Sequence, residues 1–465
     1  MSPTTKAPRA VPPQGGPGPP DAPDAAVPGA ASPGTPPDSG SAAPGLRRRR
    51  DLAGIVMVCG IASLPMLMPF GLAPGPGNTG LPDLVLIFVV VATFLWAASR
   101  RQPIRWPYLI PTLLTIVAGG VASIANEGIG SLTLAKDLFV LLWAVAVANL
   151  GRDPALLRLV IRSWVWIGTF YALVMIFGFV IGNDMLSGKQ VDGERAMFTF
   201  GDANYASNWF ICVFFIVRAC RYPEDNLKRY GVCGILVVAE LLTGSNGGAL
   251  ALGCAIVLGH LFRLFKEGKA HQAIATGALC AVLGGGGVAL LSVVDVQPVL
   301  DRASAASPIL RDSIGRTTGE STSSRSTVFG TTVRMIEEQP HPWGIGPGHT
   351  EKAMLVNQET YVREAHNDYI AAVLERGFLG GLALIVLVFA VLLKCARVAR
   401  RDALTPEYAR LVPRPELFGA LVAVFLISAL FYETLHYRHG WAFFGLIAAL
   451  DLFGRRDAVR PEGAP

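Results

Sequence analysis

The feature that most constrains this chain is a series of apolar runs, each near the length that crosses a hydrocarbon core, about 20 residues. They fall near 53–73, 81–99, 107–125, 132–150, 159–182, 203–219, 230–243, 248–264, 273–294, 377–396, 416–435 and 439–454. In lipid a backbone must satisfy its own hydrogen bonds, and a run of this length does so as a helix. The expected fold is therefore all-α: a polytopic membrane protein with about twelve transmembrane helices. Charged residues are only 16% of the chain, against roughly a quarter in soluble domains, which argues against an ordinary soluble enzyme. The seventh run is short and contains Glu240, and no soluble-repeat period is evident.

Ahead of the first run, residues 1–46 hold 13 Pro and 7 Gly. Such a segment buries too little apolar surface to offset its ordering entropy, so residues 1–50 are expected to be a disordered cytoplasmic tail. They do not form a signal peptide, because the first long apolar run begins only after residue 52 and has no small-residue cleavage pattern behind it. Arg47–Arg50 lead directly into that run, and alternate connections carry further basic clusters. These include Arg100, Arg101 and Arg105; Arg158 and Arg162; Arg218, Arg221 and Arg229; Arg263, Lys266 and Lys269; and Arg397, Arg400 and Arg401. The intervening connections 74–80 and 126–131 have none. The positive-inside rule then puts both termini in the cytoplasm, with 456–465 a second short tail. Topology accounts for the net charge of +6, and nucleic acid is not expected as a partner. The seven cysteines, from Cys59 to Cys395, include no CxxC pair, so neither a disulfide framework nor a zinc site is signalled.

Two outward segments break the charge pattern. Residues 183–202 contain Lys189 and Arg195, and 295–376 contain eight basic residues, among them Arg325, Arg334, Lys352, Arg363 and Arg376. Long loops are translocated regardless of charge, and a connection this long is commonly functional. The chain thus divides into a membrane domain over 51–294, an extracytoplasmic loop over 295–376 and a second membrane domain over 377–455. Within the loop, Ser324–Glu338 reads as a helix capped by Ser323 or Ser324, with apolar Val328, Phe329, Val333 and Ile336 and a stop at Pro340. Arg325 then falls in the first turn, against the helix dipole, which favours a ligand-binding purpose. The turn-rich stretch Pro342–Gly348 suits the lining of a site. A second short helix, Ala365–Arg376, carries His366, Asn367 and Tyr369 and stops at Gly377, which places His366 just outside the membrane.

No phosphate loop, HExxH or DxD motif is present, and Gly284–Gly287 lies inside an apolar run. Neither a metal nor another cofactor is expected. An outward-facing enzyme has no access to ATP, so an activated donor must arrive on a lipid. Arginine's planar fork suits a diphosphate, and histidine suits proton removal from an acceptor hydroxyl near neutral pH. A polyprenyl-diphosphate donor fits both.

From His366 the chain resembles the signature of the O-antigen ligase and O-antigen polymerase superfamily: His, then Asn, Ser or Gln, nine residues, Gly, two residues, Gly. His366, Asn367, Gly377 and Gly380 meet it. Gln339-Pro340-His341-Pro342-Trp343-Gly344-Ile345-Gly346-Pro347-Gly348 resembles the family's Pro-x-x-Gly-x-Gly turn after a helix headed by an arginine, and Arg195…Phe198…Asn204 its entry into the sixth span. The resemblance covers most of residues 50–455. It implies a GT-C-like, metal-independent glycosyltransferase that uses an undecaprenyl-diphosphate-linked glycan and inverts the anomeric carbon. It also implies that His366 is the base and that Arg195 and Arg325 hold the diphosphate. Two departures stand out: Ser245-Asn246-Gly247 replaces a Ser-Arg-Gly turn found in many members, and Phe329 occupies the leucine position after Arg325.

Asn204, Trp343, Asn367 and Tyr369 are candidate site-lining residues. Arg334, Lys352 and Arg363 read as surface charges. Lys136 and Asp137 read as a pair at the outer boundary, and His436, Arg438 and His439 as interfacial anchors or the edge of an acceptor path. The expected partners are the bilayer, a polyprenyl-diphosphate-linked glycan donor and a glycan or glycolipid acceptor. The expected location is the cytoplasmic (inner) membrane, with the active site on its outer face. A polymerase or a protein O-oligosaccharyltransferase would share these motifs. A transporter of lipid-linked sugar is the alternative from another class, disfavoured because no internal duplication is seen.

Overall fold

The computed structural model describes residues 44–68, 80–189, 195–293, 297–307, 310–311, 314–315, 320–338, 342–359, 362, 364–400 and 402–457. The side chains of 44–51, 284–293 and 320–325 also fall outside the description. The expected N-terminal tail up to residue 43 lies outside the described residues, as do the Pro340 stop and Arg363.

Each of the twelve apolar runs falls on a helix. In chain order these are α1 (Pro44–Ser63), α2 (Leu81–Ser99), α3 (Leu109–Ala125), α4 (Ser131–Leu150) and α5 (Pro154–Val180). After a single turn, α6 (Asp184–Ser187), come α7 (Ala203–Cys220), α8 (Asn226–Leu242), α9 (Asn246–Lys266) and α10 (Ala270–Val293). The loop contributes α11 (Gln297–Ala306), α12 (Glu320–Glu338) and α13 (Thr350–Val356). The remainder is α14 (Asp368–Ala399), α15 (Pro406–Leu411), α16 (Glu416–Ser428) and α17 (Arg438–Ala449). Six of them, α2, α4, α5, α7, α9 and α14, are long and apolar enough to cross a membrane, and shorter apolar helices accompany them. Among the described residues there is no strand, only an isolated bridge between Leu404 and Arg455.

Short polar side chains set where these helices begin. Asp153 caps α5 through Ala155 N at 2.9 Å, with Pro154 at the first helical position. Asp202 caps α7 through Asn204 N and Tyr205 N, Asp225 caps α8 through Lys228 N, and Ser245 caps α9 through Gly248 N. Each satisfies donors that would otherwise be orphaned in the first turn.

The helices pack around a core holding the fully buried Trp143, Trp164, Trp209, Phe210, Phe418 and Phe443. Within it α17 lies on α4, α16 on α9, and α14 on α3. The outward faces stay apolar: Phe88, Ile124, Val282 and Phe389 are each more than two-thirds exposed. Exposed apolar surface on this scale marks a lipid-facing rim.

Two expectations change. The helix expected from Ser324 already includes Glu320. Arg325 therefore lies beyond the first turn, and the dipole argument for it fails. The short helix ending at Gly377 and the tenth run are one helical stretch, α14, broken at Gly377 by φ 64° and ψ −167°.

Candidate active site

The glycine-rich turn after Pro342 is a brace for the end of the first part of α14. Ile345 N and Gly346 N donate to the carbonyls of Leu374 and Glu375, both at 3.0 Å. Gly348 N and Thr350 Oγ1 donate to the Glu375 carboxylate, each at 2.8 Å. From the other side Asn126 Nδ2 donates to Gly344 O at 3.0 Å. The contact requires glycine: a Cβ on Gly377 would lie 2.0 Å from Pro342 O. Trp343 is 55% exposed and lines neither cavity of the site.

His366 sits one residue before the cap of α14, in the left-handed region at φ 50°, a conformation that surrounding contacts must hold in place. Those contacts come from its neighbours. Asn367 Oδ1 accepts from Tyr369 N and Ile370 N, and Asn367 Nδ2 reaches Leu430 O at 3.2 Å. Tyr369 Oη donates to Leu426 O at 3.0 Å. Buried Asp368 accepts from both the N–H and the hydroxyl of Thr434 at 2.7 Å. Asn367 and Tyr369 fix the backbone that presents His366, and Tyr369 also lines a small cavity with Asp368, Thr434 and Leu435.

The bonds to Leu430 and Thr434 tie the start of α14, next to His366, to the connection between α16 and α17, which carries Glu433 and His436. His436 Nε2 lies 3.2 Å from Glu433 Oε2. Burial alone would lower His436, but the hydrogen bond and charge of Glu433 raise it to about 9. Burial pushes Glu433 up, yet the His436 hydrogen bond and the charges of His436, His366 and Arg376 hold the carboxyl below its usual range. Glu364 hangs on the same cleft, where desolvation, and then the charge of Glu433, raise it to about 7.

Two adjoining cavities share Asp137, Glu375, Glu433 and His436. The inner one, about 50 Å³, continues between Pro111, Leu141, Leu384 and Trp441. The outer one, about 140 Å³, is lined by Asp83, Lys136, Glu351, Glu364 and Arg438. Arg376 is paired with Asp137 at 2.5 Å, and Arg438 holds Asp83 through two bonds of 2.7 Å. Glu433 Oε1 and Arg376 Nε are buried in this cleft with no hydrogen-bond partner among the described residues. Such orphaned groups are costly and call for an explanation, commonly a missing ligand or water. His439, read from sequence as outward-facing, is wholly buried, with Nε2 2.8 Å from Asn208 Oδ1.

Arg195 and Asn204 come together in the structure. Arg195 Nη2 donates to Asn204 Oδ1 at 2.7 Å and its Nε to Thr243 O at 2.9 Å, and Ser245 Oγ also reaches Asn204 Oδ1, at 3.0 Å. The turn with Asn246 in place of the family's arginine is thus in contact with Arg195. Tyr432 lies against it: a Cβ on Gly247 would be 3.0 Å from the Tyr432 ring. The Arg195 cluster and His366 therefore flank the same α16–α17 connection. Arg325 lies on α12, which docks through Val328 and Met335 onto Ile345, Met354 and Leu374. Its side chain falls outside the description.

Sequence reading passed over Glu433, Glu364, Glu375 and the Asp137–Arg376 pair. A signal existed for two of them. Glu433 and His436 stand three apart in a polar break between apolar runs, and Glu375-Arg376 directly precedes the signature glycine.

Residues 231–385 match the family model described as O-antigen ligase, a segment that includes Arg325, His366 and Gly377. No curated protein matches the chain. That segment is a third of the chain, and together with the helices long and apolar enough to cross a membrane it supports a relation to the O-antigen ligase superfamily.

Proposed function

We propose that the protein is a glycosyltransferase that moves a glycan from a polyprenyl diphosphate to an acceptor hydroxyl at the outer face of the cytoplasmic membrane. The observation that carries this reading is the cleft itself: Glu433, His436 and Glu364 meet at a charged mouth that continues into an apolar interior, with His366 close enough for its charge to act on Glu433. A lipid-linked sugar has the same two-part character. Buried polar atoms without partners, Glu433 Oε1 and Arg376 Nε, are what a sugar hydroxyl or phosphate oxygen would satisfy.

In this reading His366 takes the proton from the acceptor hydroxyl. The acceptor oxygen attacks the anomeric carbon, the bond from that carbon to the diphosphate oxygen breaks, and the polyprenyl diphosphate leaves with the electron pair. Arg195, and Arg325 from α12, neutralise the leaving group. Attack opposite the leaving group inverts the anomeric centre. The acceptor is a glycan or glycolipid, and a polymerase would differ only in using a second lipid-linked repeat.

The test is reconstitution with a polyprenyl-diphosphate glycan and candidate acceptors. Loss of a general base costs about 10²–10⁴-fold, and His366→Ala is expected to fall in that range while remaining folded. Transfer at the wild-type rate by His366→Ala would overturn the assignment. A cytoplasmic reporter that is active when fused at residue 310 would overturn the topology.

A further inference from the structure

The chain has a second concave site, at the end of the bundle away from the cleft. α4 starts at the cleft with Lys136 and Asp137, and the chain turns at Leu150–Pro154 into α5. The first turns of α5 therefore lie at the opposite end. There a cavity of about 490 Å³ is lined by Arg158, Arg162, Arg221, Arg229 and Arg410, with Glu224 the one carboxylate in the lining.

Topology alone does not demand this arrangement. Basic residues that set orientation need only lie near the ends of spans, not converge on one cavity. Here the surroundings are built. Arg229 is buried, and its guanidinium donates to the carbonyls of Arg221, Pro223 and Glu224 and to Asn226, fixing the α7–α8 turn as one wall. Arg162 lies over the Tyr222 ring, 5.3 Å from its centroid, and Tyr222 Oη accepts from Trp166 Nε1 at 2.9 Å. Trp and Tyr with apolar bodies and hydrogen-bonding tips collect at the headgroup level of a membrane.

Along α5 the exposed stripe changes character beyond this point. Arg158 and Arg162 are followed at helical spacing by exposed Trp166, Phe170, Leu173 and Phe177. The face thus presents a cationic pocket at headgroup level and then three turns of apolar surface toward the bilayer centre. Basic pockets between helices on this side of a membrane suit anionic head groups.

We propose that this pocket binds the phosphate of an anionic phospholipid, with its acyl chains lying along the Trp166–Phe177 stripe of α5. Arg162, Arg221 and Arg410 supply the charge. Arg229 holds the wall. The continuous apolar stripe favours a lipid over free phosphate, although both carry the same anion.

The experiment is native mass spectrometry of the full chain in detergent with phosphatidylglycerol, phosphatidylcholine or inorganic phosphate. Wild type is expected to retain phosphatidylglycerol over phosphatidylcholine. In Arg162→Gln/Arg221→Gln that retention is expected to fall about thirtyfold, roughly fivefold per basic residue at a membrane surface. The double variant Arg101→Gln/Arg105→Gln removes the same charge from the same end without touching the cavity, and it is expected to retain lipid as wild type does. Thermal unfolding of both variants separates lost binding from lost fold. Equal loss in the two double variants, or no loss in the first, would overturn the proposal. Displacement of the lipid by millimolar inorganic phosphate would overturn the lipid as occupant and leave a free-anion site.

Discussion

At the cleft end Arg376 and Arg438 are buried against Asp137 and Asp83, whereas at the opposite end Arg158, Arg162, Arg221 and Arg410 crowd one cavity with Glu224 as its lining carboxylate. The difference follows from burial. A guanidinium taken out of water needs a partner in fixed geometry, and Arg376 and Arg438 are each about a tenth exposed or less. Arginines left at headgroup level can rely on water and on the membrane's own anions. The first arrangement stiffens a site, and the second leaves charge available to a ligand.

The largest effect expected from this contrast is on stability. Asp137→Asn leaves Arg376 buried with only Glu375, 3.5 Å away, and breaking a buried pair costs about 3–5 kcal/mol. Thermal unfolding in detergent reads it. A cost no greater than that of an exposed substitution would mean water reaches Arg376 freely, and the contrast between the two ends would collapse.

Next comes the Glu433–His436 pair. Glu433→Gln removes both the hydrogen bond and the charge that raise His436, so its titration is expected to fall from about 9 toward the ordinary 6.5. NMR titration of the imidazole checks this, and an unchanged value would assign the shift to the surrounding carboxylates instead. The same pair gives a pH dependence of stability. His436 binds its proton more tightly folded than unfolded, so its contribution is complete below pH 6.5 and is lost as pH rises through about 9. Because the His436 side chain is 46% exposed, the loss is expected to be no more than about 1 kcal/mol. His436→Ala should flatten it in unfolding scans across that range.

The helices were legible because each apolar run is governed by local rules: length, composition and breaks at polar connections. His366 was legible because its signature is contiguous with Gly377 and Gly380. The cleft was not legible. Asp137 and Arg376 are 239 residues apart and meet only once α3, α4 and α14 pack. Asn367 and Tyr369 show what a sequence leaves open. Polar residues beside a candidate base look like site lining, yet both spend their hydrogen bonds on Leu430 and Leu426 to hold the chain. Arg195 and Asn204, nine residues apart near the start of α7, share a motif in the sequence, but their hydrogen bond is visible only in the fold. The Glu433–His436 pair needed the fold to show that a short polar break between the last two helices lines the cleft.

The smallest effect lies at the other end and has the opposite sign. Arg158 is exposed, lines the arginine cavity and donates to no carboxylate among the described salt bridges. Neutralising it removes repulsion from Arg162 and Arg221 rather than an attraction. Arg158→Gln should therefore change stability by no more than about 0.5 kcal/mol, as for an ordinary surface substitution, with any change a gain at low ionic strength. Salt decides the interpretation. At about 1 M the screening length falls to roughly 3 Å, so a gain due to like-charge repulsion disappears. A gain that persists in salt would come from packing instead. A loss in low salt that anionic detergent abolishes would show that Arg158 already holds a retained anion, carrying the ligand-binding reading of this end from Arg162 and Arg221 to the whole cavity.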